Sequence, residues 1–192
     1  MVNYPNGRKA NPASKQSGKI NTAYRGMSLE EDINLANQFY LSSNLAVIHK
    51  KPTPIQIVKV DYPKRAAAKI VEGYFQRRST TDYNGVYKGR YIDFEAKETQ
   101  KDAFPFTNIH PHQIEHLRQI IEHGGIGFII IAFTRYDEVY LVDGSYMIDK
   151  YLNSPIKHIT YQEITEKGFL ITQGYQPRLD YLKAVEAIYM EV

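Results

Sequence analysis

A chain of 192 residues with 43% hydrophobic content has enough apolar material for one sizeable core and is short for two domains. It contains no cysteine, which excludes disulfides and thiolate metal sites and leaves oxygen and imidazole as the only strong ligands. The net charge of +3 is unevenly placed: residues 1–25 carry five Lys/Arg and no acid, and residues 50–78 carry eight Lys/Arg against Asp61 and Glu72, so the remainder is acidic.

Residues 1–24 are rich in Asn, Pro, Gly, Ser and Lys without apolar periodicity, which reads as a flexible basic tail preceding a single domain over 25–192. The tail has no apolar run of the secretory kind. The expectation is a soluble, cytoplasmic protein with no membrane partner. From Ser28 the pattern turns helical: Ser28 and Glu31 form a capping-box signature, and Leu29, Ile33, Ala36 and Tyr40 recur on one face, predicting a helix over 28–42. A short strand over 46–49 ends at Pro52 and Pro54, and 55–60 alternates weakly. Residues 63–74 then read as a helix with proline in its first turn. Because 50–78 is basic and has only a thin apolar face, this segment is expected to project from the body.

Residues 82–90 carry hairpin punctuation and 91–99 alternate as a strand. A helix over 111–123 is stopped by Gly124 and Gly125, with Ile114, Leu117, Ile120 and Ile121 facing inward. Residues 126–133 form a nearly continuous apolar strand, too short to span a bilayer and suited to burial on both faces, with 138–142 as its hairpin partner. A helix over 145–152, a strand or turn over 168–172 and a last helix over 179–189 complete the reading.

On the strand over 91–99, Tyr91, Asp93, Glu95 and Lys97 share one side and Ile92, Phe94 and Ala96 the other. Ionisable groups on alternate positions of a strand flanked by core residues are costly to bury unpaired, so water, a metal or a polyanion should meet them. Two carboxylates can hold a hard divalent cation, and a lysine one pleat further sits beside the water that attacks phosphorus. Asp82 reaches the same place if 82–88 runs antiparallel to 89–97. Acid-x-Lys alone is a weak signal, since charges alternate on many solvated strand faces.

Asp82, Glu95, Ala96 and Lys97 resemble the catalytic motif of the PD-(D/E)xK nuclease superfamily, with Thr81 in place of the motif's proline. More narrowly, RGMSLEEDIN (25–34), AVIHKKPTPIQIV (46–58), YPKRAAAKI (62–70), STTDYNGVYKGRYIDFEAKET (79–99) and HQIEHL (112–117) are similar to the RecU Holliday-junction resolvases, and the similarity runs from NYPNG (3–7) to the run at 174–181. The resemblance implies an α/β, restriction-endonuclease-like fold: a mixed central sheet flanked by helices, with a basic stalk inserted at about 52–78. It implies a homodimer that cuts four-way junction DNA symmetrically with magnesium or manganese, in recombination and repair. A recombinase or branch-migration machinery is a further candidate partner.

Carried over by motif, Asp82, Glu95 and Lys97 take the catalytic positions, with Asp82, Glu95 and the Ala96 carbonyl as metal ligands. Glu30 is the candidate first-helix acid, and Gln113 the polar residue on the following helix that touches water or phosphate. An exposed, roleless Gln113 is the alternative. Asp93 reads as a partner of the metal site in preference to a ligand. Arg65 and Lys69 would meet phosphates, and Tyr74 and Phe75 would stack on exposed bases. Arg25, Lys50, Lys51, Lys64, Arg77, Arg78, Lys88 and Arg90 complete the candidate DNA contacts. His112, Glu115 and His116 match an H-x-x-E-H zinc pattern, but the apolar face of the same helix already explains it. Two rival functions stay open: a nuclease for duplex ends or other branched DNA, and a DNA-binding recombination accessory without cleavage.

Overall fold

The structure is a computed structural model in which residues 28–64, 67–76 and 80–190 are described. The tail over 1–24 and Arg25, Arg65, Arg77 and Arg78 lie outside the described residues.

Helix α1, Leu29–Ser42, starts as its cap predicts: Glu31 N–H donates to Ser28 Oγ at 3.3 Å, and Ser28 N–H donates to Glu31 Oε2 at 2.9 Å. Its buried face carries Leu29, Ile33, Ala36 and Tyr40. Strand β1, Ala46–Lys50, follows. Next come β2, Ile55–Asp61, and β3, Lys69–Phe75, which pair only with each other as an antiparallel ribbon. Every residue of the two strands is exposed except Val60, which is intermediate.

The helix expected over 63–74 is therefore absent, and the second half of that segment is β3. The alanine run and Pro63 favour a helix locally, but the β-branched and aromatic residues Ile70, Val71, Tyr74 and Phe75 pair with β2 instead. The ribbon lies within the segment expected to be the stalk.

Strands β4, Tyr83–Tyr87, and β5, Arg90–Thr99, form the expected hairpin. Its two-residue turn holds Lys88 and Gly89 at φ 46 and 76, the left-handed pair that a type I′ turn needs. Then come β6, Ala103–Pro105, helix α2, Pro111–Glu122, and β7, Ile126–Phe133. The chain continues through β8, Glu138–Asp143, α3, Gly144–Asn153, β9, His158–Thr160, and α4, Tyr161–Lys167. It closes with β10, Phe169–Leu170, and α5, Tyr181–Tyr189. The β6–β9 ribbon and α4 escaped sequence reading because their pieces are short and carry no sustained period.

The main sheet has the order β1-β4-β5-β7-β8-β10; β5 and β7 are parallel and every other neighbouring pair is antiparallel. This is the mixed central sheet expected. One face packs Ile92, Phe94, Phe128 and Ile130 against α1 and α5; the other packs Ile129, Ile131 and Val142 against α2, α3 and α4. Phe94 is at the centre of the first layer, stacked between Tyr83 and Phe128 at centroid distances of 4.9 and 4.8 Å. Because both faces are covered, every residue of β7 is buried, and Asp93 and Glu95 of β5 are held inside the protein. Among the described residues, no helix is long and apolar enough to cross a membrane.

Candidate active site

Alternation along β5 turns Ile92 and Phe94 toward α1 and α5 and turns Asp93 and Glu95 toward α2, where both are fully buried. The antiparallel register sets Tyr83 opposite Phe94, so Asp82, one residue before β4, arrives beside Glu95. Asp82 N–H donates to Glu95 Oε2 at 3.1 Å, and Lys97 Nζ forms an ion pair with Glu95 Oε1 at 2.6 Å. The three motif residues thus meet where β5 runs alongside the start of β4, and Ala96 between the last two packs its methyl on the opposite core.

Burial, followed by a hydrogen bond with the Asp82 side chain, pushes the Glu95 carboxyl up to about 7, against the opposing pull of Lys97. Two carboxyls close enough to share a proton could together hold a cation instead. The donor set is all oxygen, which fits a hard divalent metal. Among the described residues no group of three or more His, Asp and Glu gathers at ligating distance.

Glu30 lies on the α1 side, half exposed and paired with Lys50. Its charge still reaches the site's edge: burial raises the Tyr83 hydroxyl's pKa, and the carboxylates of Glu30, Asp82 and Glu95 raise it further. Glu98, exposed on the α1 side of β5, accepts the Leu29 N–H at the start of α1 and so docks that helix on the strand.

Asp93 is not part of the Asp82–Glu95 pair. Its carboxylate accepts from Lys51 Nζ at 2.7 Å, from Tyr91 OH at 2.9 Å and from Thr81 Oγ1, and His116 Nε2 lies 3.2 Å away. Burial raises its pKa, but the contacts from His116, Lys51 and Thr81 outweigh that and hold the carboxyl below the usual range. This network was not legible in the sequence, because its members lie 12 to 42 residues from Asp93 apart from Tyr91.

Several expectations are corrected here. Lys51, expected on DNA, is turned inward with a side chain 18% exposed. Lys88 pairs with Glu186 and Arg90 donates to the Tyr189 carbonyl at 2.9 Å, so both tie the hairpin to α5 at the end of β5 remote from Lys97. Gln113 is buried, and its Oε1 accepts the His110 N–H at 2.9 Å, closing the first turn of α2. The exposed, roleless reading of Gln113 therefore fails. His116 serves Asp93 and Glu115 pairs with Arg118, so the H-x-x-E-H run is divided between partners and holds no zinc triad. Lys64, Lys69, Tyr74 and Phe75 are exposed on the ribbon as expected, with Phe75 79% exposed.

A mixed sheet that brings two carboxylates and a lysine together, with an exposed ribbon inserted ahead of them, is the arrangement of a metal-dependent nuclease. Residues 24–187 match the family described as RecU, Recombination protein U. The chain is 53% identical to the Holliday junction resolvase RecU of Bacillus cereus strain G9842 and 52% identical to those of Bacillus thuringiensis strain Al Hakam and Bacillus anthracis strain A0248, with 98% of each chain covered. It belongs to the RecU family. Among solved structures it is similar to Hjc, a Holliday junction resolvase of Archaeoglobus fulgidus, at TM-score 0.44 and 8% identity, covering 72% of this chain and 94% of that one.

Proposed function

We propose that this chain is a structure-selective endonuclease that resolves Holliday junctions by phosphodiester hydrolysis. The observation that carries the proposal is the meeting of Asp82, Glu95 and Lys97 in a member of the RecU family. The relatives bearing the resolvase name support junction DNA as the substrate.

Asp82 and Glu95 would hold the divalent ion, magnesium or manganese, with the Ala96 carbonyl as a further ligand. When bound, that ion polarises the scissile phosphate and acidifies water. The chain's own residues do the rest. Glu95, its carboxyl pushed up to about 7 by burial and Asp82, would release its proton on holding the ion. Lys97, 22% exposed on the solvent side of the pair, orients the attacking water and offsets charge that develops on phosphorus oxygens. Burial of Glu95 by the α2 layer keeps bulk water from competing for the carboxylate.

The ribbon β2–β3 acts as the stalk. Lys64 and Lys69 contact phosphates, and Tyr74 and Phe75 offer aromatic faces to unstacked bases at the crossover. A homodimer supplies two such sites for cuts in strands of like polarity, and the cytoplasm is the compartment where such DNA is met.

The test uses synthetic four-way junctions and matched linear duplexes, with magnesium or EDTA, comparing wild type with Lys97→Ala. Cleavage confined to the junction and lost without metal or Lys97 supports the assignment. Equal cleavage of both substrates makes the protein a general nuclease, and no cleavage by wild type makes it a binding accessory.

A further inference from the structure

The exposed ribbon interrupts the chain between Lys51 and Thr80, immediately before the Asp82 carboxylate. Left unbraced, ribbon motion would pass directly to Asp82. The two roots of the ribbon are instead fastened together at that point. Gln76 N–H donates to the Pro54 carbonyl at 3.0 Å, and closer in, Lys51 N–H donates to the Asp82 carbonyl at 2.7 Å. The Lys51 side chain then grips the returning strand a second time, donating to Thr81 Oγ1 at 3.0 Å and to Asp93 Oδ2 at 2.7 Å. Thr81 in turn donates to Asp93 Oδ1, and Tyr91 and His116 brace the same carboxylate from β5 and α2.

We propose that Lys51 is a positioning residue that holds Asp82 in register with Glu95 by clamping both roots of the stalk, and that it does not contact DNA phosphate. The inference rests on the nuclease assignment made above. Thr81 and Asp82 are pinned from three directions: the Asp82 carbonyl by Lys51, the Thr81 hydroxyl by Lys51 and Asp93, and the Asp82 N–H by Glu95. The Lys51 ammonium is also committed to a fully buried carboxylate and to the Thr81 hydroxyl, so drawing it out to a phosphate would leave Asp93 uncompensated. A catalytic carboxylate displaced by about 1 Å is enough to slow the chemical step by about 100-fold.

The experiment measures single-turnover cleavage of a saturating four-way junction as magnesium is raised, for wild type, Lys51→Met, Thr81→Val and Thr81→Ser. Junction affinity is measured separately in EDTA, and folding by circular dichroism. Lys51→Met is expected to cleave bound junction about 100-fold more slowly and to need more magnesium for half its maximal rate, with junction affinity within about twofold of wild type. Thr81→Val should fall in the same direction, and Thr81→Ser, which keeps the hydroxyl, should recover most of the rate. A wild-type cleavage rate in bound Lys51→Met overturns the inference, as does an affinity loss with the bound rate intact, the signature of a phosphate contact. If Lys51→Met does not fold, the threonine pair decides, and equal rates for Val and Ser overturn it. Failure of the nuclease assignment is distinguishable, because then wild type itself leaves the junction uncut.

Discussion

Replacing Glu95 by Gln should make the metal-free protein more stable at neutral and alkaline pH while abolishing cleavage. Glu95 has its carboxyl raised from 4.5 to about 7 by burial and by Asp82, so the folded state keeps a proton that the unfolded chain releases. That contribution is fully present below pH 4.5 and is lost as pH rises through 7. At ~1.4 kcal/mol per pH unit, forcing the ionised form into the folded protein costs about 3 kcal/mol at pH 8, and glutamine removes the cost. Loss of the ion pair to the partly exposed Lys97 reduces the gain, so a stabilisation of about 2 kcal/mol is expected at pH 8, shrinking below about 1 kcal/mol at pH 5. The assay is urea unfolding in EDTA at half-unit steps from pH 5 to 8. Addition of magnesium should then stabilise wild type and leave Glu95→Gln unmoved. A variant no more stable than wild type at pH 8, or a difference that does not change with pH, would refute the reasoning.

Phe75→Ala and Tyr74→Ala should each weaken junction binding by about 1–3 kcal/mol in a gel-shift titration, if one base stacks on each ring. Both side chains are exposed, so unfolding free energies should move by less than about 0.5 kcal/mol. Lys64→Ala and Lys69→Ala should each reduce the slope of log affinity against log salt by roughly one. Lys88→Ala and Arg90→Ala should leave that slope unchanged, because both side chains are held against α5. Gly85→Ala should destabilise the sheet by about 3 kcal/mol in thermal or chemical unfolding, since the added Cβ would sit 2.1 Å from the Val47 carbonyl oxygen, where β4 crowds β1.

Sequence reading reached furthest where local pattern and tertiary demand agree. The capping box of α1, the Lys88–Gly89 turn and the alternation of β5 are all encoded within a few residues, and the register they impose is enough to bring Asp82 to Glu95. It failed where partners lie far apart or compete with local preference. The helical signal of Pro63 and the alanine run reads on through residue 74, yet pairing with β2 makes Lys69–Phe75 a strand. Lys51 and Lys50 are adjacent and chemically identical, and only the fold shows that one turns inward to Asp93 while the other pairs with Glu30 near the surface. The position of Lys88 and Arg90 on the hairpin that feeds β5 likewise suggests phosphate contact, and nothing local announces that α5 returns from the far end of the chain to pair with them.

Manganese titration followed by electron paramagnetic resonance tests the metal-site claim most directly, comparing wild type with Asp82→Asn and Glu95→Gln before any DNA is added. Wild type should bind the ion, and each substitution should abolish binding while the fold persists. Undiminished manganese binding in both variants would contradict the account, because the cation would then be held by groups other than these two carboxylates.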